Sequence, residues 1–334
     1  YSYVSMNMGD EIVKKNKYEI DMCNGSIMDK LISFSFPLML TSILQLMFNA
    51  VDIIVVGRFS GSQSLAAVGS TTALINIFTN LFIGISLGAN VLAARYYAAG
   101  RDKEMSEAVH TAIFLALISG LIMAVVGIGA SRFALTLMGT PDDVIDLSVL
   151  YMRIYFMGMP FFMLYNYGAA ILRAVGDTKR PLFYLIAAGL ANVILDLLLV
   201  IVIPLNVAGV AVGTVASQMV SCILVLRCLY RTEGSYQLRF SRLTIKSEHL
   251  KMIFQVGVPA GIQSTVINFS NALLQSSVNS FGSTAMAGYT AANNIIGFLY
   301  SAVNAVTQAC MSFTSQNYSV GKPKRMDRVL VNCI

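Results

Sequence analysis

The chain has 334 residues, 56% of them hydrophobic and only 12% charged, with a mean hydropathy of +0.68 and a formal net charge of +6. A soluble domain of this length carries about twice that charge. Apolar blocks of roughly twenty residues or more, long enough to cross a bilayer as helices, make it a polytopic membrane protein. The basic residues sit in short loops between those blocks, not on one face among aromatics, so nucleic acid is excluded as a partner.

The first thirty residues are polar and mixed in charge and do not read as a secretory signal. Tyr1 to Ser5 precede the first methionine and are left out of the fold reading. Blocks and breakers then give eight spans, at about 31–57, 67–94, 108–130, 147–172, 182–203, 207–229, 251–279 and 285–316. A ninth begins near Met326 and is cut off at Ile334.

Span one holds the first acid out of place. Asp52 interrupts an otherwise apolar helix, and an intramembrane carboxylate costs roughly 2.5–3.5 kcal/mol on insertion scales. Thr41, Gln45, Asn49 and Asp52 share one helical face, and Pro37 near the inner end can bend the helix. On span two, Asn76 and Asn80 sit one turn apart and either line a cavity with Gln45 and Asn49 or glue helices together. Gly84 and Gly88 allow a close helix approach there. Span four is aromatic: Tyr155, Phe156, Phe161, Phe162, Tyr165 and Tyr167 could stack on an organic cation or simply pack.

Span five carries the second acid, Asp196, with Asn192 one turn earlier on the same face. Asp196 lies about seven residues, roughly 10 Å, from the outer end. Asp52 lies about five residues from that end of span one, and Thr214 about seven residues into span six. Gly209 and Gly213 form a GxxxG pair beside Thr214. Three helices thus place polar side chains at one depth. Two carboxyl groups there can bind and release a proton, or hold Na⁺ with amide and hydroxyl oxygens. The alternative is a structural hydrogen bond between helices, with Arg153 as counter-ion or snorkelling to the outer interface. Gln218 is a further lining candidate.

Twenty of the twenty-three Lys and Arg fall on one side of this span order, beginning with Lys14, Lys15 and Lys17 of the tail. By the positive-inside rule that side, with the N-terminus, is cytoplasmic. Asp52 and Asp196 alone of seventeen acids lie within spans. The five cysteines form no CxxC pair and read as buried small hydrophobes. With two histidines in the chain, a histidine metal site is not expected.

An internal repeat is also legible. Placing Pro37 on Pro259 aligns Asn49 with Asn271 and Phe59 with Phe281. After one residue of slippage, Tyr97, Gly100 and Met105 meet Tyr318, Gly321 and Met326. Parallel repeats of this kind are a transporter signature. They divide the chain into a cytoplasmic tail (1–30), a six-helix lobe (31–229), an interlobe linker (230–250) and a partial second lobe (251–334).

On PLMLTSILQLMFNAVDIIVVGRF at 37–59, LAAVG at 65–69, ARYYAAG at 94–100, YMRIYFMGMP at 151–160, LRAVGDTKRP at 172–181, ANVILD at 191–196 and VAGVAVGTVASQ at 207–218, the chain resembles the prokaryotic multidrug and toxic compound extrusion (MATE) transporters. The resemblance implies an all-α, MATE-like six-helix lobe plus the first two to three helices of a second. It implies a cation site at Asp52, Asn192, Asp196 and Thr214, a bend at Pro37, and exchange of H⁺ or Na⁺ for an amphipathic, often cationic compound across the cytoplasmic membrane. No cofactor beyond the coupling ion is implied. Family members have twelve helices, whereas this chain stops within the ninth, so the missing helices are needed for a transport cycle. Some members carry second-lobe carboxylates, but span seven, with Gln263, Asn268, Asn271 and Gln275, is uncharged. Lipid-linked saccharide flippases are the nearest rival, although they are expected to line their cavity with more basic residues. An intramembrane enzyme would need a motif such as HExxH, which the chain lacks.

Overall fold

A computed structural model describes residues 18–279 and 283–334. Lys14, Lys15, Lys17, Phe281 and the side chain of Gln275 lie outside the described residues. The described chain is helical almost throughout. The helices are α1 (Ile27–Phe59), α2 (Gly61–Ala98), α3 (Asp102–Leu137), α4 (Asp142–Met157), α5 (Met159–Ala174), α6 (Lys179–Leu197), α7 (Asn206–Arg231), α8 (Ser247–Asn279), α9 (Ser283–Ser319) and α10 (Pro323–Cys333). Each expected span is matched by one helix, except the fourth.

That span breaks into α4 and α5, bent by 46° at Gly158. Pro160 sits in the first turn of α5. It has no amide hydrogen, and its ring cannot lie against a carbonyl four residues back, so a continuous helix fails there. Gly120 of α3 packs directly against the Pro160 backbone and holds the corner from outside. Pro37 acts differently. α1 runs unbroken through it, and Thr41 donates to the Pro37 carbonyl at 2.8 Å. Span five ends in a π turn, Leu198–Val202, directly after α6.

Among the described residues, six helices, and a seventh span if α4 and α5 count as one, are long and apolar enough to cross a membrane. The outward faces match the solvent they meet. On α3, Val125 is 73% and Leu137 78% exposed, which suits lipid and would not suit water. Against this, the inner faces of α2, α3, α4, α5 and α7 build the main core around Met105, Met152, Phe156, Met163 and Tyr167.

The groups before and after the linker meet at the basic end. α2 packs closely against α8, where Gly84 and Gly88 lie on Gly257, Gly261 and the Ile253 carbonyl. Any side chain at these glycines would run into backbone, so two small-xxx-small faces interlock. α1 packs on α9 in the corresponding way. Its inner half, with Leu31, Phe34 and Leu38, joins Ala305, Ala309, Phe313 and Val329 of α9 and α10 in a second core. The equivalence extends to the turns. Gly100 and Gly321 adopt φ of 66° and 67°, and each donates its amide to the carbonyl three residues earlier, of Tyr97 and Tyr318. A residue with a Cβ is disfavoured at that φ, so the repeat keeps glycine at both places.

Buried polar contacts reinforce the same end. Asn90 of α2 donates to the Ala170 carbonyl and accepts from Ser312 of α9 at 3.0 Å. Gln316 donates to the Ala174 carbonyl of α5. His249 of α8 lies between Tyr96 and Glu107. The short stretch before α1 forms a strap across both groups. Glu19 accepts from the hydroxyls of Tyr97 (2.7 Å) and Tyr236 (2.6 Å), while the carbonyls of Met22, Cys23, Asn24 and Gly25 accept from Asn317, Lys322 and Arg325. Burial and then the Glu19 bond push the Tyr236 phenol up, so it stays a donor.

Candidate functional site

α1 and α6 run side by side in the same direction, and a glycine sets their spacing. The Phe48 ring occupies the space where a Gly189 side chain would be. One turn further along α1 comes Asp52. On α6, Asn192 and Asp196 follow Gly189 at three and seven residues, on the same face. The carboxyl groups of Asp52 and Asp196 come within side-chain hydrogen-bonding reach of each other. Both are buried, Asp52 at 8% exposure and Asp196 at 0%.

The donors around the pair are few. Asn192 Nδ2 donates to Asp196 Oδ2 at 3.5 Å, a long bond. Oδ1 of each carboxyl is shielded and has no hydrogen-bond partner among the described residues. Arg153 is not the counter-ion: it is exposed, and its Nε donates to Ser131 at 3.4 Å. Arg132–Asp146, Arg180–Asp177 and Lys246–Glu107 are ion pairs elsewhere in the described residues, and none of them reaches the two buried acids.

Thr214 of α7 donates its hydroxyl to the Val210 carbonyl at 2.9 Å, which leaves its oxygen lone pairs free to accept or ligate. Beside it, Gly213 lies directly against Asp196 Oδ1. The two acids, Asn192 and the Gly213–Thr214 stretch therefore draw three helices together at one depth. No group of three His, Cys, Asp or Glu suited to a transition metal occurs among the described residues. The oxygen-rich set fits a proton or a hard monovalent cation better.

The remaining candidates are dispersed. Gln45, Asn49, Asn76 and Asn271 are exposed, and Asn80, Tyr155 and Gln218 half-buried. All lie on the outer side of the glycine crossing of α2 and α8. Gln218 lies beside Tyr155 and against Gly158 at the α4–α5 corner. Tyr151 escaped the sequence reading. It stacks on Tyr155, with ring centroids 6.1 Å apart, and lies within electrostatic range of both carboxyls. Only its place four residues before Tyr155 could have pointed to it.

Buried paired carboxyls among apolar helices, within two repeat-related groups joined at the basic end, define a multi-pass helical membrane protein. The comparisons with known proteins agree. The MatE family model matches residues 37–198 and 259–334, and the two segments open at Pro37 and Pro259, the pair that the internal alignment superposes. The chain belongs to the MatE family. It is similar to the probable multidrug resistance protein YoeA of Bacillus subtilis strain 168, 29% identical over 306 residues, covering 89% of this chain and 66% of that protein. The multidrug export protein MepA of Staphylococcus aureus strain NCTC 8325 is 23% identical over 295 residues, covering 88% of this chain and 65% of MepA. The chain thus spans about two thirds of the length of these relatives. Among solved structures, an outward-facing multidrug resistance MATE family transporter of the MOP superfamily superposes with a TM-score of 0.87 at 23% identity, over 96% of this chain and 71% of that one. A MATE in complex with MaD3S gives 0.88 at 22% identity, over 96% and 72%. Such distant neighbours establish the fold.

Proposed function

We propose that the protein is a secondary active multidrug efflux antiporter of the cytoplasmic membrane. It exchanges H⁺ or Na⁺ for amphipathic, often cationic organic compounds by alternating access, with Asp52 and Asp196 as the coupling carboxyls. The observation that carries this reading is the pair itself: two buried carboxyls in mutual reach, each with an oxygen that has no partner among the described residues and no described cationic residue paired to it. Two bare anions so placed repel, and a shared proton or an inserted cation relieves the repulsion. Loading and unloading the pair therefore changes how firmly α1 is held against α6. Asn192 and Thr214 complete the oxygen set.

α1 gives the pair leverage over access. Its outer half brings Asp52 to α6 and α7, and its inner half rests on α9 and α10. A change at Asp52 is thereby linked to the contact that closes the basic end, which is how ion binding can favour one conformation over another. The exposed Gln45, Asn49, Asn76 and Asn271, with Tyr155 and Gln218, support a polar cavity with aromatic character for the exported compound. The names of YoeA and MepA support export of several compounds. Alternating access requires the complete second lobe, so the proposal concerns the full-length protein in its bilayer.

Dye efflux from cells tests this. Asp52→Asn and Asp196→Asn are expected each to abolish energy-dependent efflux of an organic cation such as ethidium, with membrane abundance unchanged. Wild-type efflux from either variant would refute the coupling role.

A further inference from the structure

Gly213 has a neighbour that no packing motif calls for. Its GxxxG partner, Gly209, lies against backbone, since a Cβ there would stand 3.0 Å from the Leu199 carbonyl oxygen in the π turn. A Cβ on Gly213 would instead overlap Oδ1 of Asp196. That same oxygen is buried and has no hydrogen-bond partner among the described residues. The two glycines, one helical turn apart, therefore do different work. Gly209 lets the widened end of α6 approach α7, while Gly213 provides the bed on which the carboxyl lies.

We propose that Gly213 is a positioning residue for the coupling ion, seating the Asp196 carboxyl flat against the α7 backbone so that Oδ1 stays unpaired and open to a cation or proton. The inference rests on the antiport reading and extends it from the acids to the backbone that aims one of them. A methyl group at 213 would take the volume of Oδ1 and turn the carboxyl toward Asn192 and Asp52. The oxygen set would then close on itself. Binding of the coupling ion would weaken while the proposed drug cavity, whose α7 residue Gln218 lies more than a turn further along, keeps its shape.

The test uses the full-length protein in proteoliposomes. Initial rates of ethidium efflux are titrated against Na⁺ at fixed pH and against pH at fixed Na⁺. Gly213→Ala is expected to shift the midpoint for the driving ion roughly tenfold or more, the usual effect of disturbing a residue that orients a ligand, with the plateau rate retained. Gly209→Ala should leave that midpoint at the wild-type value in whatever protein inserts. Combining Gly213→Ala with Asp196→Asn should match Asp196→Asn alone, because the glycine acts through the acid. A Gly213→Ala protein of normal abundance with a wild-type midpoint overturns the proposal. If Gly213→Ala does not accumulate in the membrane, adding Asp196→Ser should restore it by vacating the contested space, and failure to restore it overturns the proposal equally. Ion-driven efflux that survives Asp196→Asn would defeat the coupling role of Asp196 on which the inference rests, and the abundance arm then decides the steric claim alone.

Discussion

Asp52 and Asp196 stand out at the scale of single residues because a carboxyl in an apolar run is expensive to bury and must be explained. That made both legible in the sequence, and Asn192 with them by its one-turn spacing. Thr214 was legible only through its shared depth and the family resemblance. Its hydroxyl is bonded to its own helix, so it offers lone pairs and no proton to the site. Asn192→Ala and Thr214→Ala are accordingly expected to lose part of the efflux and, if Na⁺ is the driving ion, to require more of it; an unchanged Na⁺ response in titrated efflux would remove them from the ligand set. Tyr151 and Asn90 were illegible. A tyrosine or asparagine in a membrane helix has many uses, and only the fold shows that one lies within electrostatic range of the acids and the other joins three helices.

The basic turn before α6 shows the same limit. Arg173–Pro181, part of a motif quoted for the family resemblance, is a built corner. Gly176 at φ 94° lies against the Ile20 backbone, Asp177 Oδ1 accepts the amides of Lys179 and Arg180, and the buried Asp177 carboxylate pairs with the Arg180 guanidinium. Burial pushes the Asp177 carboxyl up, and Arg180 holds against it. Asp177→Ala leaves the Arg180 charge unpaired and the helix start uncapped. Its expected cost is roughly 3–5 kcal/mol, seen as a lower melting temperature in detergent. Unaltered melting would mean that water satisfies Arg180 instead.

Among elements, the apolar periodicity located every helix, since span length is set by the bilayer and not by tertiary context. What it missed were departures from the regular helix. Pro160 breaks span four because Gly120 accepts the corner, whereas Pro37 does not break α1, whose flanks are held on both sides by α9 and α6. Identical residues thus give different outcomes according to what packs outside them. The Gly84–Gly88 pair was read as a close-approach surface but without a partner; Gly257 and Gly261 supply it. Gly84→Leu or Gly261→Leu should hold α2 and α8 apart. The expected result is greater accessibility of cytoplasmic-half cysteine probes to a thiol reagent added from inside, and unchanged labelling would argue that the helices slide past the obstruction.

For the whole molecule, the decisive feature is a set of contacts that joins the two helix groups toward the basic end: the glycine crossing, Asn90 with Ser312, Gln316 with Ala174, and the strap from Glu19 to Gly25. The polar tail carried no periodic signal, so its role as a strap could not be read beforehand, while the repeat that sets the symmetry was visible in a few aligned residues. If this end must open during each cycle, locking it should stop transport. Asn90→Cys and Ser312→Cys, combined in a cysteine-free background and oxidised to a disulfide, should abolish efflux, and reductant should restore it. Full efflux in the oxidised state would show that the contact is static.

Ion exchange through the paired carboxyls is the central step, and flux in vesicles measures it directly. The full-length protein and its Asp52→Asn and Asp196→Asn variants would be reconstituted, and efflux of a fluorescent organic cation followed under an imposed proton gradient and, separately, an imposed sodium gradient. The expected result is wild-type efflux driven by one of the two gradients and collapsed by dissipating it, with neither variant responding to either. Gradient-independent movement of the cation, no movement while a lipid-linked saccharide is translocated, or gradient-driven efflux by either variant at the wild-type rate would contradict ion exchange through the pair.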